Sequence, residues 1–213
     1  MEAGTAGPNP GDPTHNATMA NFNGARAPGL TNIFTVPFNN GLGGTATPVP
    51  GAANPDREEY YPAFSPDDKL LAFTFVPAGQ VMYANPQAQI AVIPKGGGTA
   101  TVLVANNPTT SPPNCTGRSS PGVNNHWPKW SPQVQPSGDG IYYWLIFSSN
   151  RTGATATSNY DHQVHIISQL YVAPVLVTET SITSYPAIYL WNQPADHVNT
   201  TPAWESFALP PIP

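Results

Sequence analysis

The chain has 213 residues, only 9% of them charged, and a formal net charge of -5 with seven Lys and Arg residues. This balance argues against nucleic-acid binding, because contacts to phosphates need clustered cations. A single cysteine excludes an intrachain disulfide framework, and the sequence has no run of 18 apolar residues that would predict a transmembrane helix.

The first 30 residues are small, polar and rich in turn-forming residues, without the basic start and apolar centre of a signal peptide. We expect a flexible arm at 1–30 and a folded region at 31–213. The low charge and the Asn- and Thr-rich composition favour a periplasmic or extracellular protein, in which case Met1 is not the natural start. The alternative is a cytoplasmic protein.

The proline content predicts the fold class. With 27 prolines the chain has no room for long helices, since proline breaks a helix interior. A long proline-free stretch at 138–173 is rich in Tyr, Ile, Thr and Val, which favour strands. The sequence therefore predicts a nearly all-β fold.

A proline–aromatic element recurs three times along the chain. Pro-Ala-Phe at 62–64 returns as Pro-Lys-Trp at 128–130 and as Pro-Ala-Trp at 202–204. The first two copies continue with Ser-Pro and lead through a polar turn into apolar strands at 70–75 and 141–149. We expect the proline at the start of a strand, where its missing N–H costs no hydrogen bond, and the aromatic ring between stacked sheets.

A second element alternates with the first. Short strands led by an amide residue and ended by proline occur near 32–37, 89–94 and 169–174. The strict alternation of six elements predicts an internal repeat, and each repeat fits a four-stranded antiparallel unit. Asp67 and Asp68 are then interpreted as turn residues rather than catalytic groups.

These repeats resemble those of the TolB-like β-propeller family. The resemblance is carried by YYPAFSPDDKLLAFTF and QIAVIPKGGG in the first copy, and by HWPKWSP, IYYWLIFSSNRTG and QLYVAPV in the second. It covers about 32–207 and implies blades of four antiparallel strands. It also implies a bacterial and often periplasmic scaffold protein. Asp68 stands where the family usually has glycine.

The number of repeats predicts an incomplete ring. The chain holds two full repeats, a half repeat at the front and another at the back, with a loop insertion at 105–124. Propellers have about four to eight blades. We therefore expect a partial or incomplete β-propeller, the C-terminal portion of a longer protein, completed by upstream blades or by another chain.

Candidate metal ligands are few, and we expect no cofactor. His162 and His165 with Asp161 are the weak candidate for a metal site. They would have to lie in a loop, because in a strand the two histidines point to opposite faces. His126 and His197 are the other histidines that a metal-dependent enzyme would use.

The remaining reactive groups favour structural interpretations. Cys115 lies in a Pro- and Asn-rich loop with no cation beyond Arg118 to activate it, and Ser119 lacks the spacing of a hydrolase nucleophile. The carboxylates of Asp56, Glu58 and Glu59 match no calcium-binding loop, so we interpret them as solvated turn charges.

Exposed aromatic residues are the best candidates for a binding surface. Tyr189, Trp191, Asn192 and Gln193 lie next to a proline-ended loop, and aromatic rings beside amides suit a protein hot spot or sugar stacking. The aromatic residues at 142–144 are expected to pack mainly between blades.

These features predict a non-catalytic protein-interaction or scaffold module that forms part of a larger assembly. The alternative function is a propeller-type hydrolase or lyase that acts on polysaccharide or peptide through a histidine-bound metal. A third possibility is a structural subunit that associates peripherally with a membrane complex.

Overall fold

A computed structural model describes residues 2–4, 31–80, 85–108, 123–157 and 162–204. Within these ranges the fold is all-β, as predicted, and its strands pair into several antiparallel sheets, none of which closes on itself. The helical segments among the described residues are short 3-10 turns at Asn39–Gly41 and Val104–Asn106.

Sheet I is the smallest of three stacked sheets. Its strand order is β1 (Glu2–Gly4), β2 (Thr31–Thr35) and β3 (Thr47–Pro48). Strand β1 falls within the predicted arm and pairs antiparallel with β2, with Glu2 opposite Ile33. The other residues of the arm lie outside the described part of the chain.

Sheet II is a four-stranded antiparallel meander in which every strand pairs with the next along the chain. Its strands are β4 (Arg57–Phe64), β5 (Leu70–Pro77), β6 (Gln89–Pro94) and β7 (Thr101–Val102). Strand β5 is almost fully buried, which explains its continuous apolar sequence. An apolar strand of this kind needs cover on both faces, and sheet II has a sheet on either side.

Sheet III repeats this order with longer strands. It contains β8 (His126–Ser137), β9 (Gly140–Ser149), β12 (Gln169–Thr178), β13 (Ile182–Ser184) and β14 (Ile188–Tyr189). Both β13 and β14 pair with β12, at different positions along it. A separate two-stranded hairpin of β10 (Thr155–Thr157) and β11 (Val164–Ile166) connects β9 to β12.

Sheets II and III share an unusual bulge in their first strands. Tyr61 and Trp127 both have a φ of 54°, and each directly precedes the repeated proline, Pro62 or Pro128. The pairing register of β4 and of β8 shifts at this point. The expectation that the proline begins its strand is therefore wrong. It lies inside the strand at a bulge, where a missing N–H is also tolerated.

The turn that follows the first aromatic is built as the sequence predicts. The Ser65 hydroxyl donates to Asp67 Oδ1 at 2.8 Å, and the Lys69 main-chain N–H donates to the same oxygen at 3.3 Å. Asp68 has a φ of 58°, in the left-handed region that glycine enters at lower cost. The sequence departure at Asp68 therefore falls on a backbone conformation that suits glycine.

Two apolar clusters separate the three sheets. The cluster between sheets I and II contains Ile33, Val49, Ala52, Leu71, Phe73, Phe75, Ala91 and Ile93. The cluster between sheets II and III contains Leu70, Ala72, Ile90, Val92, Leu103, Trp130, Tyr143, Leu145, Phe147, Tyr171, Ala173 and Val175. Sheet II therefore lies in the middle of the stack, with sheet I against one face and sheet III against the other.

The repeated tryptophan joins one sheet to the next through the main chain. The indole N–H of Trp130 donates to the carbonyl of Ala63 at 2.9 Å, and that of Trp204 donates to the carbonyl of Lys129 at 3.1 Å. Ala63 and Lys129 occupy equivalent positions, one residue after the repeated proline. Thr201, before the third repeated proline, has a φ of 50°. The third copy thus begins on sheet III the contact that the second copy makes on sheet II.

The first copy does not follow this pattern. The side chain of Phe64 is 43% exposed, and the Lys95 ammonium group lies 5.7 Å from its ring centre. Trp130, in contrast, is buried. The predicted packing of the aromatic ring between sheets is therefore correct for Trp130 and wrong for Phe64.

One hydrogen bond near the last short strand is also equivalent in all three sheets. In each sheet, the main-chain N–H of the residue after that short strand donates to a carbonyl of the strand it pairs with, which is β2, β6 or β12. The pairs are Val49 to Ile33 at 2.9 Å, Leu103 to Ile90 at 2.9 Å and Leu190 to Leu170 at 3.2 Å. This bond identifies β14, rather than β13, as the counterpart of β3 and β7.

Candidate functional site

Sheet III extends beyond sheet II at one end. Its β8–β9 hairpin turns only at Ser137 and Gly140, whereas the β4–β5 turn comes directly after Phe64. The insertion QVQPSGD at 133–139 supplies the extra length. On the side of sheet II, the extension is anchored by Tyr143, whose hydroxyl group contacts the β4–β5 turn.

The anchor is a short hydrogen bond to a carboxylate. Tyr143 donates its hydroxyl proton to Asp67 Oδ2 at 2.7 Å. Burial raises the pKa of Asp67, but hydrogen bonds from Tyr143 and Ser65 outweigh it and hold this pKa below its usual value. Burial and the bond to Asp67 raise the pKa of Tyr143. Both groups therefore keep the protonation states that the bond requires at neutral pH.

A groove lies on the opposite face of the extension. Tyr143 and Leu145 pack toward sheet II, so the alternating residues Tyr142 and Trp144 point away from it. The groove has a volume of about 320 Å³, within the range of small ligand pockets. Its lining consists of Gln135, Ser137, Tyr142, Trp144, Pro174 and Tyr185.

Strand pairing places these side chains together. Gln135 lies opposite Tyr142 in the β8–β9 pair, and Trp144 lies opposite Pro174 in the β9–β12 pair. Tyr185 follows β13 and is held by a 3.2 Å hydrogen bond from its main-chain N–H to the Pro174 carbonyl. The groove thus has an aromatic and proline surface on a strand framework.

The groove carries no charged side chain in its lining. The rings of Tyr142 and Tyr185 lie 6.1 Å apart, and the neighbouring side chain of Tyr142 raises the pKa of Tyr185. Besides these two tyrosines, Gln135 and Ser137 are the polar side chains of the lining. The site suits a neutral ligand with a largely apolar surface.

The site predicted at 189–193 is only partly exposed. Trp191 is 85% exposed, and Asn192 beside it is exposed as well. Gln193 instead serves the sheet: its side-chain oxygen accepts from the Leu170 N–H at 2.7 Å, and its amide N–H donates to the Leu170 carbonyl at 2.9 Å. Tyr189 packs edge-on against Tyr171 at 5.5 Å. Tyr189 and Gln193 are half-buried against sheet III, while Trp191 and Asn192 are exposed.

His126 is buried in the core of sheet III. Its Nδ1 lies 3.1 Å from the Asn124 carbonyl and its Nε2 lies 3.2 Å from the Ser168 hydroxyl oxygen. Burial lowers the pKa of His126 to about 4, so the ring is neutral at pH 7. A neutral ring donates from Nδ1 to the carbonyl and accepts at Nε2 from the serine. This arrangement fixes the start of β8.

The other histidines do not converge. His162 precedes β11 and His165 lies within it, and both are exposed, while Asp161 lies outside the described residues. His197 contacts the adjacent Asp196 at 2.8 Å on the surface, and this hydrogen bond lowers the pKa of Asp196. Within the described ranges, no group of three or more His, Cys, Asp or Glu residues could hold a metal ion.

The predicted solvation of the acidic residues near β4 is wrong for two of them. Glu58 and Glu59 are fully buried. Glu58 accepts main-chain N–H groups from Thr31 at 3.0 Å and from Gly79 at 2.9 Å, which joins sheet I to the β5 end of sheet II. Glu59 accepts from the Asn54 N–H at 3.2 Å, and burial raises its pKa to about 7. Main-chain donors thus replace hydration for Glu58 and for one carboxyl oxygen of Glu59.

Arg151 occupies a half-buried position just after the other end of β9. Its guanidinium lies 4.5 Å from the ring centre of Tyr171 and donates to the Asn106 carbonyl and the Asn125 side chain. Burial lowers the pKa of Arg151 to about 10, so it stays charged at neutral pH. The contacts are to sheet II loops and to sheet III, which makes Arg151 a structural link between the repeats.

Sequence reasoning identified two of the groove residues, Tyr142 and Trp144, but assigned them mainly to packing. The insertion at 133–139 was the signal for the groove, because it lengthens a hairpin beyond its neighbouring sheet. Cys115 and Ser119 lie outside the described residues.

No helix in the described ranges is long and apolar enough to cross a membrane. Comparison of the chain with protein-family models, curated proteins and solved structures finds no match.

Proposed function

We propose that this chain is a non-catalytic protein-interaction module built from TolB-like propeller blades, and that its groove binds an extended, neutral, proline-rich segment of a partner protein. The groove itself carries the proposal. Grooves lined with aromatic residues bind proline-rich segments, whose polyproline II conformation costs little entropy to hold. Tyr142, Trp144, Tyr185 and Pro174 supply such a surface.

The blade assignment is supported by the repeated geometry. Sheet II is a four-stranded meander, and sheet III has the same order with one extra strand. The bulge before the repeated proline and the indole bond to the preceding sheet recur at equivalent positions. Radial repetition of four-stranded sheets with such neighbour contacts is the architecture of propellers.

The lining favours a peptide over a sugar. A sugar presents hydroxyl groups around its ring and needs several polar partners. Here the lining is mainly aromatic and proline surface, and Gln135 and Ser137 are its polar side chains besides the two tyrosines. One amide and one hydroxyl suffice to fix the main-chain carbonyl groups of a peptide, while the rings contact proline.

The test is peptide binding to the unmodified full chain and to two variants in which one tryptophan is replaced. Fluorescein-labelled ten-residue peptides with a Pro-x-x-Pro core and no charged residue serve as probes, read by fluorescence anisotropy. Trp144→Ala removes the largest ring of the groove, and we expect affinity to fall by roughly tenfold or more, because buried aromatic anchors dominate such interfaces. Trp191→Ala is the matched control and should bind like the unmodified chain, since Trp191 lies outside the groove lining.

Three results would contradict the proposal. They are no peptide binding, equal losses in both variants, and selective binding of neutral oligosaccharides by the groove. A stoichiometric transition metal in the purified protein would favour the alternative, a metal-dependent hydrolase or lyase.

A further inference from the structure

The open face of sheet III is equivalent to a face that is covered in sheet II. Four apolar residues of sheet II, Leu70, Ile90, Val92 and Leu103, are buried beneath sheet III. Register equivalence places Trp144, Leu170, Val172 and Leu190 at the same positions of sheet III, where all four are half-buried. The chain has already begun to cover this face, because Trp204 bonds to Lys129 as Trp130 bonds to Ala63.

Sheet I, in its described part, lacks one strand of a full repeat. Its β2 and β3 occupy the third and fourth places of a repeat, and β1 pairs with β2 on the side where β5 pairs with β6. Among the described residues, sheet I has no strand in the first place, which β4 and β8 fill in the other sheets. The segment at 201–204 begins a further copy of that first strand but pairs with no sheet in the described ranges. The two halves together make one repeat.

The two halves do not meet within the described part of one chain. Sheets I and III lie on opposite faces of sheet II, and the segment at 201–204 contacts sheet III. Because stacked sheets are about 10 Å apart, sheet I and this segment are separated by roughly 20 Å or more across the stack. A ring of three repeats would also be smaller than the roughly four to eight blades that close a propeller.

We propose that a second copy of this chain packs its sheet I against the open face of sheet III, and that two such contacts close a six-sheet ring. Each contact completes the split repeat with three strands from one copy and the Trp204 segment from the other. The described residues of each copy supply two full repeats and two halves, so two copies give six repeats. Head-to-tail contacts of this kind close into rings when the rotation matches.

The two surfaces have matching chemistry. Phe34 in sheet I occupies the position of Ala91 in sheet II and Tyr171 in sheet III, and both of those face the preceding sheet. Val172 occupies the position of Val92, which shares a cluster with Tyr171. The ring therefore places Phe34 of one copy against the face that carries Val172 of the other.

The proposed ring goes beyond the groove and meets it at Trp144, which lies on both surfaces, while the other groove residues lie outside the open face. Strand β2 ends at Thr35, the counterpart of Val172, whereas the groove begins at Pro174 and runs along the extension. Sheet I has no counterpart of the extension among its described residues. Phe34 and Val172 lie outside the groove lining, so variants at these two positions test assembly without changing a groove residue.

The experiment uses two full-length variants, Phe34→Lys and Val172→Glu, with mass measured by light scattering during size-exclusion chromatography. The unmodified chain should elute at twice its mass of 22.6 kDa, and each variant alone at 22.6 kDa. An equimolar mixture of the two variants should return to twice the chain mass. In the mixed ring one contact is unmodified, and the other pairs the introduced Lys with the introduced Glu.

Recovery in the mixture also shows that neither variant is unfolded, since an unfolded chain would not complement the other. Trp191→Ala is the surface control and should keep the doubled mass. A monomeric unmodified chain, an open-ended series of larger masses, variants that keep the doubled mass, or a mixture that stays at 22.6 kDa would each overturn the ring. Peptide anisotropy on the same samples reports on the groove independently.

Discussion

Sheets II and III are two versions of one repeat, and they differ most at one end. Both contain the same bulge and the same main-chain hydrogen bond after the last short strand. Both also accept an indole hydrogen bond from the tryptophan of the next copy. Sheet III adds a long β8–β9 hairpin and strand β13, and this addition carries the groove. The comparison teaches that the shared part holds the stack together, while the part that only one repeat possesses forms the groove that we propose as a binding surface.

The two sheets also differ directly before the bulge in their first strands. Sheet II buries Tyr60 there, directly after Glu59, whereas sheet III places His126 at the position of Tyr60. Glu59 accepts one main-chain hydrogen bond, while His126 contacts the Asn124 carbonyl and the Ser168 hydroxyl. The two repeats therefore bury different titratable groups near the same bulge, and we expect opposite responses to pH from the two sheets.

Removal of the inter-sheet tryptophan should have the largest effect. Trp130→Ala leaves a cavity between sheets II and III and breaks the bond to Ala63, so the free energy of unfolding should fall by about 3–5 kcal/mol. Urea unfolding followed by circular dichroism measures it. Trp191→Ala, on an 85% exposed side chain, should change stability by less than about 0.5 kcal/mol. Similar losses in the two variants would mean that the stack does not depend on this contact.

The second-largest effect should be a difference between the two repeats in how the free energy of unfolding depends on pH. The pKa of Glu59 is raised to about 7, so the folded state keeps a proton that the unfolded state has released, and stability falls as pH rises from about 4.5 to 7. The pKa of His126 is lowered to about 4, so the unfolded state gains a proton first, and stability falls as pH drops from about 6.5 to 4. Between about pH 4.5 and 6.5 the two slopes oppose each other.

Replacing either Glu59 or His126 leaves the pH dependence that the other group contributes to the free energy of unfolding. In Glu59→Gln, the free energy of unfolding should rise with pH from about 4 to 6.5, by up to about 1.4 kcal/mol per pH unit. In His126→Gln it should fall as pH rises from about 4.5 to 7. The measurement is the urea midpoint of each variant and of the unmodified chain across this range. Parallel pH profiles for all three proteins would contradict the assignment of either group.

Loss of the extension anchor should have the smallest effect. Tyr143→Phe removes the hydrogen bond to Asp67 without changing the packing of the ring, at a cost of roughly 1–2 kcal/mol. A double-mutant cycle with Asp67→Asn should show coupling of similar size, and Tyr142→Phe in the groove is the matched control. Zero coupling would show that the extension is held by apolar packing alone.

The sequence was sufficient to predict the all-β fold, because prolines exclude long helices and the apolar runs at 70–75 and 141–149 lie in strands β5 and β9. The turn role of Asp67 followed from the Ser-Pro-Asp pattern. Both signals are local, since they depend on residues within one turn or one strand.

The remaining features depend on contacts between distant residues. The burial of Glu58 was not predictable, because its partners are main-chain groups 27 and 21 residues away. The groove required the register of β8, β9 and β12 and the position of Tyr185, none of which a linear pattern specifies. Phe64 and Trp130 occupy equivalent positions, yet only Trp130 is buried, because the neighbouring sheet decides the cover.

The indole bonds between sheets have an evolutionary consequence. Their acceptors are main-chain carbonyl oxygens, which every amino acid possesses, so the residues at 63 and 129 are free to differ, as Ala and Lys do here. Selection on such a joint acts on the tryptophan and the backbone rather than on a pair of side chains. A protein whose sheets are joined in this way can change many of its side chains and still keep the same contact between neighbouring sheets.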